Sequence, residues 1–162
     1  MAENRVEIAL RMLEMLRGER GRFHGTIDDL EHSLQAATRA ERDGADDEMV
    51  VAALCHDMGK TVDPHRHGRV AADLLRPCVR PEVAWVLDVH SDFTAHQFGS
   101  GRRRYAHLKH RLHPHYRTAR RFARDWDLPS SDANYDSMPL EHFLPALERV
   151  LGRRARRHSW RR

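Results

Sequence analysis

Residues 49–60 read MVVAALCHDMGK, and this stretch decides the fold. Met49–Cys55 is apolar on every side of a helix rather than along one stripe, so it predicts a central helix covered all round. Asp46 or Asp47 supplies its N-terminal cap, and Gly59 is a natural stop at its far end. His56-Asp57 follows directly from that buried run. An imidazole and a carboxylate buried side by side are costly unless something compensates them. A divalent cation does so, because neutral His and ionised Asp are nitrogen and oxygen ligands. The plain alternative for the dipeptide alone is a helix end where both side chains face water.

Outward from this helix the periodicity stays helical. Val6, Ala9, Leu10, Leu13 and Leu16 share one face of a first helix that ends near Gly18, and residues 18–25 read as a loop. Thr26-x-x-Asp29 resembles a capping box opening a second helix, with Ile27, Leu30, Leu34 and Ala37 inward and Gly44 at its end. A fourth helix runs from about His67 to Leu75 and stops before Pro77. Pro81 suits the first turn of a fifth, which carries Val83, Val86, Leu87 and His90. Residues 92–113 are rich in Gly, Arg and His with weak periodicity. Pro114 is expected to open a sixth helix running to about Asp127, and residues 128–138 read as turn-rich loop. Leu140, Phe143, Leu144, Leu147 and Val150 mark a seventh. With no internal repeat and no strand pattern, the expected architecture is all-α: a single-domain bundle of six to seven helices over residues 1–152, followed by a disordered Arg-rich tail, 153–162.

Composition narrows the classes. The 162 residues suffice for one domain with a real core. No apolar run is long enough to span a membrane, and MAENRVEIAL does not read as a secretory signal. Cys55 and Cys78 make no disulfide framework. The expectation is a reduced, soluble, cytoplasmic protein with no membrane partner. Of 28 basic side chains 26 are Arg, and six of these fall in the last ten residues; without those six the formal charge drops from +4 to −2. The body is near neutral, so a nucleic-acid partner is not expected from it, and the tail reads as a solvated end.

Thirteen histidines are the unusual count. His67, Val70, Ala71 and Leu74 follow helical spacing, as do Val83, Val86, Leu87 and His90, so both histidines point where the apolar faces point. A lone His on such a face is usually a satisfied core residue. Two on successive helices, beside a buried His-Asp, are more economically explained by a shared metal centre. His32 sits mid-helix in LEHSLQ as a further candidate, with Asp28, Asp29 and Gln35 on its face.

The order His32, His56-Asp57, His67, His90, Asp127 resembles the HD-domain superfamily in its two-metal form, over roughly residues 26–150. Within it, LEHSLQAATRAERDGADDEMVVAALCHDMGK is similar to the mixed-valent di-iron oxygenases, which include myo-inositol oxygenase and the oxygenases that cleave aminohydroxy-phosphonates. RDWDLPSSDANYDSMPLEHFLPALERV strengthens that likeness through its Asp after Trp, its Tyr-Asp and its Pro-Leu-Glu-His-Phe. The resemblance implies that Asp57 bridges two metals, that His32, His56 and Asp127 complete one site, and that His67 and His90 complete the other. It implies an Fe(II)/Fe(III) pair, with manganese as the other fitting metal, and dioxygen as co-substrate. The absence of Cys ligands argues against structural zinc.

The resemblance also places Lys60 and Ser91 against substrate; the alternative for Lys60 is a cation favouring a helix C-terminus. Arg124, three residues before Asp127, would share its side of the sixth helix and clamp an anionic group, the alternative being a surface charge. Cys55 reads as core packing. One departure stands out. The phosphonate-cleaving members carry Tyr-x-x-Glu upstream of the first ligand, where this chain has GRFHGTIDDLEH and offers His24 and Asp28 instead. The basic stretch GRRRYAHLKHRLHPHYRTARR is either an anion-attracting lid or a solvated surface, and its histidines take no role.

Three functions follow. The first is a di-iron oxygenase that uses O2 for hydrogen abstraction and oxidative cleavage of a small polar substrate, hydroxylated and in some cases anionic. The second is a two-metal phosphohydrolase acting on a nucleotide or other phosphate ester. The third is a helical binding module with a vestigial metal site and a nucleic-acid-binding tail, distinguished by a steep salt dependence.

Overall fold

Asp47–Cys55 is the helix around which the others assemble, and every side chain from Glu48 to Cys55 is buried. The structure is a computed structural model that describes residues 4–19, 25–98 and 100–152. Its α-helices in chain order are α1 (Arg5–Glu14), α2 (Asp29–Arg42), α3 (Asp47–Cys55), α4 (His67–Leu75), α5 (Pro81–Phe98), α6 (Tyr116–Arg121) and α7 (Leu140–Leu151). Two 3₁₀ segments, Met58–Thr61 and Gly101–His110, and a π-helical turn, Phe122–Asp127, lie between them. No strand occurs among the described residues, as the sequence pattern implies.

The α2 and α7 helices pack on α3, and α4 packs on α5. Leu30, Leu34 and Ala37 of α2 and Phe143, Leu147 and Val150 of α7 join one continuous core with Val51, Ala52 and Leu54 of α3, the helix on which both pack. Because α3 is apolar all round it has no solvent face to give up, and the side chains that follow it are delivered into the interior. This is why His56, 0% exposed, and Asp57, 3% exposed, are buried.

Several boundaries differ from those the pattern suggests. The N-cap of α2 is Asp28 rather than Thr26: Asp28 Oδ1 accepts from Glu31 N at 2.8 Å while Oδ2 accepts from Gly18 N at 2.9 Å, so one carboxylate caps the helix and ties down the preceding loop. Of the two expected candidates for the α3 cap, Asp46 is the one used, accepting from Met49 N at 3.0 Å. That helix ends at Cys55 and tightens into Met58–Thr61 before reaching Gly59. Gly59 serves a close approach instead, since a Cβ there would lie 2.3 Å from the carbonyl oxygen of His67. Residues 92–98 continue α5, and much of the Arg/His-rich stretch after them forms the second 3₁₀ segment. Short-range periodicity misses that segment because its holding contacts come from Trp85 and Phe93 of α5, with His113 stacked on Trp85 at 3.7 Å. The sixth helix opens at Tyr116, two residues after Pro114, and turns π-helical from Phe122. His24 and the tail 153–162 lie outside the described residues. No helix among the described residues is long and apolar enough to cross a membrane.

Candidate metal centre

Five helical elements bring six side chains together. His32 comes from the second turn of α2, His56-Asp57 from the end of α3, His67 from the start of α4, His90 from the middle of α5, and Asp127 from the end of the π-helical turn. His32, His56, His90, Asp57 and Asp127 are all buried, and the His67 side chain is 14% exposed.

The histidines share one arrangement. Nδ1 of His32 donates to Ser130 O at 2.6 Å, that of His56 to Ala53 O at 2.7 Å, that of His67 to Pro64 O at 2.9 Å, and that of His90 to Leu87 O at 2.7 Å. A carbonyl can only accept, so each ring carries its proton on Nδ1 and, when neutral, presents the lone pair of Nε2 to the cluster. Those Nε2 atoms face one another at 3.1 Å in two pairs, His32 with His56 and His67 with His90. Two lone pairs at that distance repel unless a cation or proton lies among them. Histidines that ligate metals are oriented in this way, by a backbone carbonyl on the opposite ring nitrogen.

Asp57 spans the two pairs. Its Oδ2 is 3.5 Å from Nε2 of both His32 and His56, and its Oδ1 is 3.2 Å from His67 and 3.6 Å from His90. Asp127 Oδ1 closes the first group at 3.3 Å from His32 and 3.6 Å from His56. The first-row metals that His and carboxylate bind at about 2.1 Å have neighbouring donors about 3.0–3.4 Å apart. The spacings observed here, 3.1–3.6 Å, run from inside that range to slightly beyond its upper end. Three ligand triads drawn from these residues, with the donor atoms of each within 4.8 Å of one another, could hold a metal ion: His32/His56/Asp57, His56/His90/Asp127 and Asp57/His67/His90.

The charges are mutually adjusted. Burial acts to raise the Asp57 carboxyl, but His56 and Lys60 outweigh it and hold the group well below the ordinary carboxylate value. Asp127 is likewise held well below its ordinary value, with His56 and His32 overriding burial. Burial acts to lower His56, yet Asp57 and Asp127 raise it to about 9. His67 goes the other way, to about 4, through burial and the neighbouring His90.

Lys60 Nζ lies 2.6 Å from Asp57 Oδ2 and 3.6 Å from Asp29 Oδ1, and Ser91 Oγ lies 3.1 Å from His67 Nε2. Both therefore border the cluster. Arg124 does not point with Asp127. Its side chain is 67% exposed and pairs with Asp125, while Asp127 is 7% exposed. The cause is the π-helical turn, whose bonds run five residues back, as from Leu128 N to Ala123 O. Residues three apart no longer overlie one another in so wide a turn.

Two supporting groups escape sequence reading. Asp29, 5% exposed, is the second acceptor for Lys60; its place one turn before His32 was the available signal. Ser130 holds His32 through a backbone carbonyl, for which side-chain identity carries no signal. Cys55 is fully buried, and burial raises its thiol to about 12, which fits packing and not ligation.

Residues 29–133 match the HD domain family, and the chain belongs to that family. No curated protein matches the chain. The HD domain is a helical fold of metal-dependent enzymes, and the matched span runs from the first residue of α2 past Asp127, so it contains every member of the cluster.

Proposed function

We propose that the protein is a mixed-valent di-iron oxygenase of the HD family, which uses O2 to abstract hydrogen from, and oxidatively cleave, a small polar hydroxylated substrate. The observation that carries this reading is the unequal sharing of Asp57: its Oδ2 faces His32 and His56, which Asp127 Oδ1 also approaches, and its Oδ1 faces His67 and His90. Four residues would hold one iron and three the other, all through nitrogen and oxygen. A bound pair of this kind supplies one-electron chemistry with O2 and Lewis acidity toward a substrate oxygen.

The chain's own residues do the rest. The Ser91 hydroxyl stands beside His67, on the three-residue side, where it can donate to a substrate oxygen. Lys60 keeps its ammonium at the carboxylate edge through Asp57 and Asp29, placed to bind a substrate hydroxyl or an acidic group. Phe122 packs edge-on to His56 at 5.8 Å and lies 6.3 Å from His90, an apolar wall that keeps water from that side. Arg124 is not needed in this arrangement.

A second reading is a two-metal phosphohydrolase. The HD family favours it, since its members are commonly hydrolases, and the same ligand set with Lys60 could serve a phosphate ester. The deciding experiment is iron reconstitution followed by EPR and turnover with and without O2. The oxygenase reading expects a mixed-valent signal that substrate perturbs, together with O2-dependent product. Hydrolysis of a phosphate ester at full rate under anaerobic conditions overturns it.

A further inference from the structure

The 3₁₀ segment Gly101–His110 and the turn after it form an outward face that the metal centre does not use. A 3₁₀ helix repeats every three residues, so its three edges can be read directly. His107, His110 and, beyond the segment, His113 lie along one edge and are partly buried against α5. His110 stacks on Phe93 with centroids 5.9 Å apart and planes at 12°, and its Nε2 meets Asp92 Oδ2 at 2.9 Å. His113 stacks on Trp85 at 3.7 Å and 4°. These contacts hold the segment on α5 and turn the other two edges to solvent.

Those edges carry Arg102, Tyr105, Leu108 and Arg111 on one side and Arg103, Ala106 and Lys109 on the other. Tyr105 is 59% exposed, Leu108 46% and the adjoining Leu112 89%. Among the described residues only Met15 and Val62 are comparably exposed large apolar side chains, and they lie elsewhere in the chain.

The charge on this face is also unbalanced. Residues 101–120 contain seven Lys and Arg and no Asp or Glu, and Lys109 among them pairs with Asp92 of α5 at 2.8 Å. Over most of the surface, arginines sit on carboxylates: Arg69 on Asp88 at 3.1 Å, Arg80 on Asp46 at 2.9 Å, Arg121 on Asp43 at 2.6 Å, Arg149 on Asp47 at 2.7 Å. Among the described residues no carboxylate comes within ion-pair distance of Arg102, Arg103, Arg104, Arg111, Arg117 or Arg120. Of these, Arg102, Arg103, Arg104 and Arg111 lie in or next to the segment that carries Tyr105, Leu108 and Leu112.

We propose that this face docks onto a lipid bilayer bearing anionic headgroups, with Tyr105, Leu108 and Leu112 entering the interface and the unpaired arginines meeting the phosphates. Charge alone fits any polyanion. Leu108 and Leu112 select the bilayer, because they gain from an acyl boundary and offer no stacking plane to a nucleic-acid base, and Tyr105 beside them suits the headgroup level. The proposal is independent of the reaction at the metal centre.

The test is sedimentation of the full chain with phosphatidylcholine vesicles, with and without phosphatidylglycerol. The expected result is salt-sensitive binding only when phosphatidylglycerol is present. Arg102→Gln/Arg103→Gln/Arg104→Gln should weaken it on the order of a hundredfold, and Leu108→Ser/Leu112→Ser about tenfold. All five positions are exposed, so melting temperature and Mn(II) binding should match the parent protein. Equal binding to vesicles lacking phosphatidylglycerol overturns the proposal. So does parent-like binding by either variant, which would move the contact to the basic tail or make it purely ionic. Binding to single-stranded oligonucleotide but not to vesicles would assign the face to nucleic acid.

Discussion

Asp57→Asn is the sharpest perturbation of the metal centre, because it keeps the side chain's size and removes the one charge that both histidine pairs share. The two carboxylate oxygens lie 3.2–3.6 Å from the four histidine Nε2 atoms, so a single substitution weakens both ligand groups. A ligand present at a hundred times its dissociation constant stabilises the fold by about 2.7 kcal/mol per site. For a chain of this size each kcal/mol moves the melting temperature by about 2–4 °C. The parent protein should therefore melt about 5–11 °C higher per filled site when Mn(II) or Fe(II) is added at that excess. Asp57→Asn should show a shift of about 1 °C or less over the same range. Differential scanning fluorimetry with metal analysis of the desalted protein measures both quantities. Lys60 keeps Asp29 as a partner in the variant, so the metal-free protein should still melt cooperatively. A variant that retains two ions and the parent's thermal shift would refute the assignment of Asp57 as the shared ligand.

Three further outcomes follow from the structure. In chelator-treated protein, His67 is held at about 4 against an ordinary 6.5, so the unfolded chain takes up the proton first; stability present above pH 6.5 should fall by about 3 kcal/mol as the pH drops toward 4. His56, raised to about 9, has the opposite sign: its contribution is complete below pH 6.5 and is lost as the pH rises through 9. Urea titrations across pH 4–9 should thus peak near 6.5, and a flat profile would contradict both assignments. Gly68→Ala places a Cβ 2.5 Å from Leu87 O and 3.0 Å from the His90 ring, so it should cost about 1–3 kcal/mol and weaken metal binding, read by thermal melts and metal titration. Cys55, fully buried with its thiol near 12, should resist a thiol reagent in the native protein and react only on unfolding, timed by absorbance.

Much of the cluster is readable in the sequence because its candidate ligands sit where helical periodicity already points. His90 is buried on α5 and His67 borders the buried face of α4, while His56-Asp57 follows a helix with no polar face, so burying that helix buries them. Arg124 leaves the side expected of it because the pattern of FARDWD is compatible with an α-turn, and whether a helix widens to a π-turn depends on what it packs against. The stretch 92–113 looked irregular because its 3₁₀ repeat of His107, His110 and His113 is legible only once Trp85 and Phe93 are known to receive it.

The sequence by itself determined the all-helical architecture and the chemistry of the donors, because apolar spacing and residue type are local properties of the chain. The tertiary structure alone decided how those donors are used: which Asp57 oxygen faces which histidine pair, that Ser130 O orients His32 from 98 residues away, and that Asp29 holds Lys60. These are distances between segments far apart in sequence. They arise only when the apolar faces of α2, α3, α4 and α5 have packed, and no local preference of the chain encodes them.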